Sequence, residues 1–243
     1  MTSIGFFSGS AASGSTMLAV STSKLLVAMG KRVLHIFSGI SSMYSYLEKN
    51  NAGSLDDIKS SLIGRCLTEE ELRATAKTVE GIELIASNKS FLMANTFPVD
   101  SFDQILKSSN GFDYVIVDGG SDFRTALTVS ALCHCDKKIV SITQEPNSIS
   151  NFKELDSDIL CNFGEIVLLI NKYIRDKSLY SKDDIAYLLK REVSCVIPYS
   201  QFGSYAQIER KTLTGEKRYR RAVENFIKEC LGEGNGSQGY LRT

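Results

Sequence analysis

Residues 4–20 read IGFFSGSAASGSTMLAV, and the fold turns on how this stretch is read. It opens as an apolar run, passes through a loop of small residues, and continues with apolar residues at helical spacing. A strand buried on both faces looks like the first part. A loop rich in glycine and serine lets backbone N–H groups converge on an anion, and the start of the following helix adds partial positive charge. The usual phosphate-binding signature closes on Gly-Lys-Ser/Thr, because lysine neutralises the outer phosphates and the hydroxyl holds Mg2+. Here the loop closes on Gly14, Ser15 and Thr16. The glycine and the hydroxyl are present and the lysine is not. An ordinary strand-to-helix turn without a ligand is the competing reading of the same residues.

Outward from this loop, apolar runs alternate with helical patterns along the whole chain. Strands are expected at 4–8, 33–37, 83–87, 114–118, 138–143, 166–170 and 193–197. Runs such as YVIV and IVLLI suit a parallel sheet, which buries both faces. Between them, Leu18, Leu25, Leu26 and Met29 form one helical stripe, with Gly30 as its stop. Phe102, Ile105 and Leu106 form another behind Asp100 or Ser101 as N-cap, and Ile185, Leu188 and Leu189 a third. Ala222, Val223, Phe226, Ile227 and Cys230 mark a last amphipathic helix. Strand–helix alternation implies right-handed crossovers, and the expected class is α/β: a three-layer α/β/α sandwich around a mostly parallel, seven-stranded sheet, P-loop NTPase-like. Ligands of such sheets sit beyond the carboxyl ends of the strands, where the first loop lies. The expected organisation is a single domain over 1–231 with a disordered polar tail over 232–243. Residues 40–81, with short helical patterns at 55–63 and 69–76, read as an insertion or lid.

The chain has 243 residues, 28 basic against 28 acidic, and formal net charge zero. A whole-molecule field that would gather nucleic acid or acidic membrane is therefore absent. No apolar run reaches the length of about 18 residues that a membrane span needs. The first residues lack the basic start and long apolar core of a secretion signal, so a cytoplasmic protein is expected. The six cysteines are scattered without repeated metal-type spacing and read as reduced thiols. The CHC triplet at Cys133, His134 and Cys135 reads as packing near a helix end, since helical neighbours point in different directions. His35 lies inside a strand and reads as a packed neutral ring. The basic segment 211–221, KTLTGEKRYRR, suits a solvated helix face, with nucleic acid or acidic lipid as the alternative.

The order of these landmarks resembles the ParA/MinD-type P-loop ATPases, whose deviant Walker A motif has the form KGGxGKT/S. On that motif the loop runs from Ser10 to Met17. Ser10 stands at the family's signature lysine, Ser15 at the Walker lysine, and Ala11 and Ala12 at two glycines. AMGKRVLHI (28–36) is similar to the family's helix end and second strand, and GFDYVIVDGG (111–120) to its Walker B strand, with Asp118 in the acidic position. LLINKY (168–173) is similar to the strand whose asparagine contacts the purine, and IPYS (197–200) to a loop that lines the base. The resemblance therefore implies cofactor-binding by Gly9, Ser10, Ala11, Ala12, Ser13, Gly14, Ser15, Thr16, Met17, Asn171, Pro198 and Tyr199. It implies a metal held by Thr16 and Asp118 and a cofactor that is ATP or ADP with Mg2+. The second strand ends in Phe37-Ser38-Gly39 where the family has a water-positioning aspartate.

Two lysines and an aspartate are thus missing from groups that phosphoryl transfer depends on. Losing one charge-assisted phosphate contact costs about 1.5–3 kcal/mol, roughly ten- to hundredfold in affinity, so weak binding survives. No catalytic residue is assigned. The resemblance implies a degenerate member, a pseudo-ATPase that binds ATP weakly and acts as a spatial organiser or scaffold, with TadZ/CpaE-like proteins of pilus and secretion assembly as the nearest type. It implies a homodimer with protein partners in a localisation or secretion assembly, at a cell pole or on a membrane through those partners. A slow, partner-activated ATPase in partitioning or cell-division positioning, and a ligand-free interaction module, are the alternatives.

Overall fold

The computed structural model describes residues 1–39, 46–47, 53–88, 90, 95–176 and 178–232. Eight strands build one sheet: β1 (Thr2–Ser8), β2 (Val33–Phe37), β3 (Lys77–Val79), β4 (Ile82–Ile85), β5 (Tyr114–Gly120), β6 (Lys137–Ile142), β7 (Val167–Tyr173) and β8 (Val193–Pro198). Their order is β3-β4-β2-β5-β1-β6-β7-β8. Every neighbouring pair is parallel except β3 with β4. The sheet therefore has eight strands where seven were expected. The extra strand, β3, is three residues long and reverses into β4 through Glu80 and Gly81, both at positive φ. Two left-handed residues make the tight turn that a hairpin favours, and three residues are too few to show a period. β4 also starts and stops earlier than expected, because Ala86 is already engaged in a bridge to Ser54.

Nine helices are described: α1 (Ser15–Ala28), α2 (Lys59–Gly64), α3 (Glu69–Thr75), α4 (Ser101–Lys107), α5 (Ala126–His134), α6 (Pro146–Asp158), α7 (Lys182–Leu189), α8 (Gly203–Ile208) and α9 (Lys217–Leu231). One face of the sheet packs on α1, α8 and α9, the other on α2 to α7. Residues 53–76 belong to this second layer. Leu55, Ile58, Leu62 and Leu72 are fully buried there, so this part of the expected lid is core. Its beginning, 40–45 and 48–52, lies outside the described residues, as does 233–243 of the expected tail.

Strand alternation positions the functional end of the sheet. Ile4 and Phe6 of β1 face α1, so Ser8 does too. The same parity carries Tyr114 and Ile116 on to Asp118, Ile139 on to Ser141, and Leu169 on to Asn171. Four polar side chains thus arrive together at the carboxyl ends of β1, β5, β6 and β7, under the start of α1.

Local caps follow different partners from those expected. Asp100 is at the N-cap of α4, but its carboxylate pairs with Arg65 at 3.3 Å, and Ser101 Oγ donates to the Pro98 carbonyl. The Ser130 hydroxyl of α5 accepts the Phe102 N–H instead. α5 is capped by Thr125, which accepts from the Thr128 N–H at 3.2 Å. Asp118 therefore does not serve as that helix's cap. Thr125→Ala is expected to cost about 1 kcal/mol of stability, read as a lower urea midpoint with unchanged slope.

α9 lays Tyr219, Val223, Phe226 and Ile227 onto the sheet, with Phe226 edge-on to Phe6 at 6.0 Å between ring centres. Gly232 at φ 79° ends it. Among the described residues no helix is long and apolar enough to cross a membrane.

Candidate functional site

Hydroxyls and backbone reversals shape the loop after β1. Ser8 Oγ lies 2.7 Å from Ser13 Oγ, which lies 2.7 Å from Ser141 Oγ. This buried chain ties the loop's middle to the ends of β1 and β6. Gly9 N donates to the Ser141 carbonyl at 2.9 Å, and a Cβ on Gly9 would stand 2.8 Å from Ile142 Cγ2. Ala12 (φ 58°) and Gly14 (φ 83°) then reverse the chain. A Cβ on Gly14 would stand 2.7 Å from Asn171 Nδ2, so glycine is required there for space as well as for φ.

β7 takes up the loop's carbonyls. Asn171 Nδ2 donates to the Ser13 carbonyl at 2.8 Å, and Lys172 Nζ to the Ala12 carbonyl at 2.7 Å. Both carbonyls are thereby held on the β7 side, away from the start of α1. That helix has no side-chain cap and no acidic residue in its first turn. Its first N–H groups have no intrahelical acceptor, and its dipole makes that end positive.

Among the described residues, two buried oxygens at this point lack a partner: Ser15 Oγ and Asp118 Oδ2. Asp118 is fully buried, and burial raises its carboxyl to about 6, against the pull of hydrogen bonds from the Thr16 hydroxyl and the Gly120 N–H. A half-satisfied carboxylate in an apolar setting is costly unless a cation or a proton joins it. At the end of β2, Ser38 donates through N and Oγ to the Asp118 carbonyl. Gly39 approaches Gly120 so closely that a Cβ would stand 2.9 Å from its Cα.

Above these groups opens a crevice of about 320 Å³. Ala12, Ser13, Gly14, Ser15, Thr16 and Met17 line it, and so do Asn171, Pro198 and Tyr199. Gly9, Ser10 and Ala11 do not. Gly9 is pressed against the sheet, Ser10 Oγ turns away to Ser148 Oγ at 2.6 Å, and Ala11 faces solvent. Asp118 is not among the lining residues but is fully buried, its Oδ1 held by the Gly120 N–H at 3.3 Å. Lys24 points elsewhere, to Glu80 at 2.8 Å.

Sequence reading missed Lys172 and Tyr219. Lys172 is the one charged side chain among the described lining residues, and it follows Asn171 directly, in a left-handed conformation (φ 56°). Tyr219 lies within the basic segment, yet its ring is buried and its hydroxyl is 3.2 Å from Ser21 Oγ. The chemistry of the site is that of an anion cradle with backbone donors, a hydroxyl and a nearby carboxylate, in a crevice that Pro198 and Tyr199 also line.

No protein-family model and no curated protein matches the sequence. Among solved structures, a ParA family ATPase from Chlorobium tepidum is similar with a TM-score of 0.79 at 17% identity, covering 93% of this chain and 98% of that one. MinD in the MinC:MinD cell division complex of Aquifex aeolicus gives 0.76 at 18% identity over 99% and 100%. A putative plasmid partition protein of Borrelia burgdorferi bound to AMPPNP gives 0.69 at 17% identity over 96% and 99%. The chain thus has the ParA/MinD fold over essentially its whole length.

Proposed function

We propose that the crevice binds ATP or ADP with Mg2+ and that the protein is a nucleotide-responsive organiser with little or no hydrolysis. One observation carries this reading: the uncapped start of α1 faces two buried, unpartnered oxygens, Ser15 Oγ and Asp118 Oδ2. Backbone N–H groups there suit phosphate oxygens. Thr16 and Asp118 suit a hard divalent cation, which prefers oxygen ligands and would supply the missing partner charge. Asn171, Pro198 and Tyr199 line the same crevice and would take the base.

Turnover is a different demand. Ser10 and Ser15 bring no charge, Ser38 and Gly39 bring no carboxylate, and Lys172 is engaged with the Ala12 carbonyl. Little remains to stabilise charge on a transferring phosphoryl group. The likeness to MinD and to partition proteins supports a positioning role, in a homodimer or with protein partners. Exposed Tyr199, Phe202, Tyr205 and Ile208 beside the crevice support a protein partner as well. A pilus or secretion assembly of the TadZ/CpaE type is the specific setting we favour.

Titration with a fluorescent ATP analogue tests the site. Saturable binding is expected with Mg2+, weakened roughly tenfold by EDTA or by Asp118→Asn. Absence of saturable binding would remove the nucleotide reading and leave a ligand-free module.

A further inference from the structure

Asn171 and Lys172 stand where β7 leaves regular pairing. Its ladder with β6 ends at Ile170, and its ladder with β8 shifts register between Ile170 and Tyr173. Alternation along a regular strand would send Lys172 to the face opposite Asn171. Lys172 instead takes a left-handed conformation (φ 56°), and its N–H donates to Asn171 Oδ1 at 2.9 Å. Both side chains consequently reach the same loop. Asn171 Nδ2 donates to the Ser13 carbonyl at 2.8 Å and Lys172 Nζ to the Ala12 carbonyl at 2.7 Å. Irregularities that re-aim side chains in this way recur beside functional sites.

The two engaged carbonyls fix the direction of two amides. A trans peptide holds its C=O and N–H antiparallel, and the described residues contain no cis peptide. With the Ala12 carbonyl drawn to Lys172, the Ser13 N–H points away from β7. With the Ser13 carbonyl drawn to Asn171, the Gly14 N–H does the same. Neither N–H has an acceptor among the described residues. Ala12 itself is a left-handed non-glycine residue (φ 58°), a conformation that persists only where its surroundings hold it. The two serines at the lysine positions do not hold it: Ser10 Oγ turns to Ser148 Oγ, and Ser15 Oγ has no partner among the described residues.

We propose that Asn171 and Lys172 are positioning residues, a clamp on β7 that holds the loop with the Ser13 and Gly14 amides ready for phosphate. The proposal rests on the nucleotide reading above and names what prepares its phosphate end in a loop without lysine. Lys172 acts through the Ala12 carbonyl as a hydrogen-bond donor, not as a charge placed on the nucleotide.

The test titrates the full chain, with Mg2+ present, against ADP, inorganic tripolyphosphate and adenosine. Lys172 is exposed, so Lys172→Met is expected to fold. It should weaken ADP and tripolyphosphate roughly tenfold and change adenosine by less than about twofold. Lys172→Arg keeps a donor of similar reach and should bring affinity back to within about threefold of wild type. Two readouts separate a clamp from a charge that touches phosphate. In the nucleotide-free protein, Lys172→Met should shift the Ser13 amide signal in NMR spectra, because that N–H shares its peptide with the Ala12 carbonyl. The affinity ratio of wild type to Lys172→Met should also be the same at roughly 0.05 and 0.5 M salt, since salt screens an exposed ion contact and not a loop conformation. Equal binding of the phosphate probes by wild type and Lys172→Met would overturn the clamp and leave the nucleotide reading standing. A ratio that collapses in high salt, a Ser13 signal that stays in place, or an equal loss of adenosine would overturn it as well. Wild type that binds none of the probes would remove the nucleotide reading, and the clamp with it.

Discussion

Between roughly pH 6 and pH 4 the two buried titrating groups of the α1 layer are expected to leave wild-type stability nearly level, and removing either one tilts it. His35 faces α1 between Val33 and Phe37, with Nδ1 2.8 Å from Ser23 Oγ and Nε2 buried without a partner among the described residues. Burial lowers it from 6.5 to about 3. The unfolded chain therefore holds one more proton than the folded chain across that range, and stability falls as pH drops below 6.5. Asp118 behaves oppositely, since burial raises it from 3.8 to about 6. Here the folded chain holds the extra proton, and stability is regained as pH falls through 6. Where the ranges overlap, the two slopes cancel.

Asp118→Asn exposes the histidine. The variant is expected to be a few kcal/mol more stable than wild type near neutral pH, and to lose roughly 2–3 kcal/mol of stability between pH 6 and 4. His35→Leu exposes the carboxylate, and stability should rise by a similar amount over the same interval. The double variant should be level again. Urea midpoints taken as differences from wild type remove the background of surface carboxylates such as Asp113, held low by its bonds from Arg32. Parallel curves for wild type and both single variants would show that neither group titrates as its burial requires.

That neutral, packed ring at His35 was legible from its place in a strand, and so was most of the sheet. Unbroken apolar runs such as 114–117 leave little choice but a strand covered on both faces. The loop and helix that follow β1 were readable for a related reason: glycine and serine between two periodic segments have few other uses. Lys172 was not readable as a loop contact, because its partner Ala12 lies 160 residues away in sequence. The serine chain through Ser8, Ser13 and Ser141 was hidden likewise, although alternation from Ile4, Phe6 and Ile139 places both strand-end serines on one face. β3 and the cap supplied by Ser130 show the other limit, where three residues or one hydroxyl leave no periodic trace.

Restoring one lysine should matter and restoring the other should not. Ser15 lines the crevice at the first position of α1, with Oγ unpartnered. Ser15→Lys places an ammonium where outer phosphates would lie, and Mg-ATP affinity is expected to rise roughly ten- to hundredfold. Ser10 turns from the crevice to Ser148, which also accepts the Thr143 N–H at the start of α6. Ser10→Lys breaks that serine pair without adding charge to the pocket, so affinity within one protomer should change less than threefold. Any larger effect of Ser10→Lys must come from a second copy facing the same nucleotide, and would depend on protein concentration. Isothermal titration at two protein concentrations separates the cases. Unchanged affinity in Ser15→Lys would mean that the amides of the first turn do not hold phosphate, however closely the surrounding fold follows ParA and MinD.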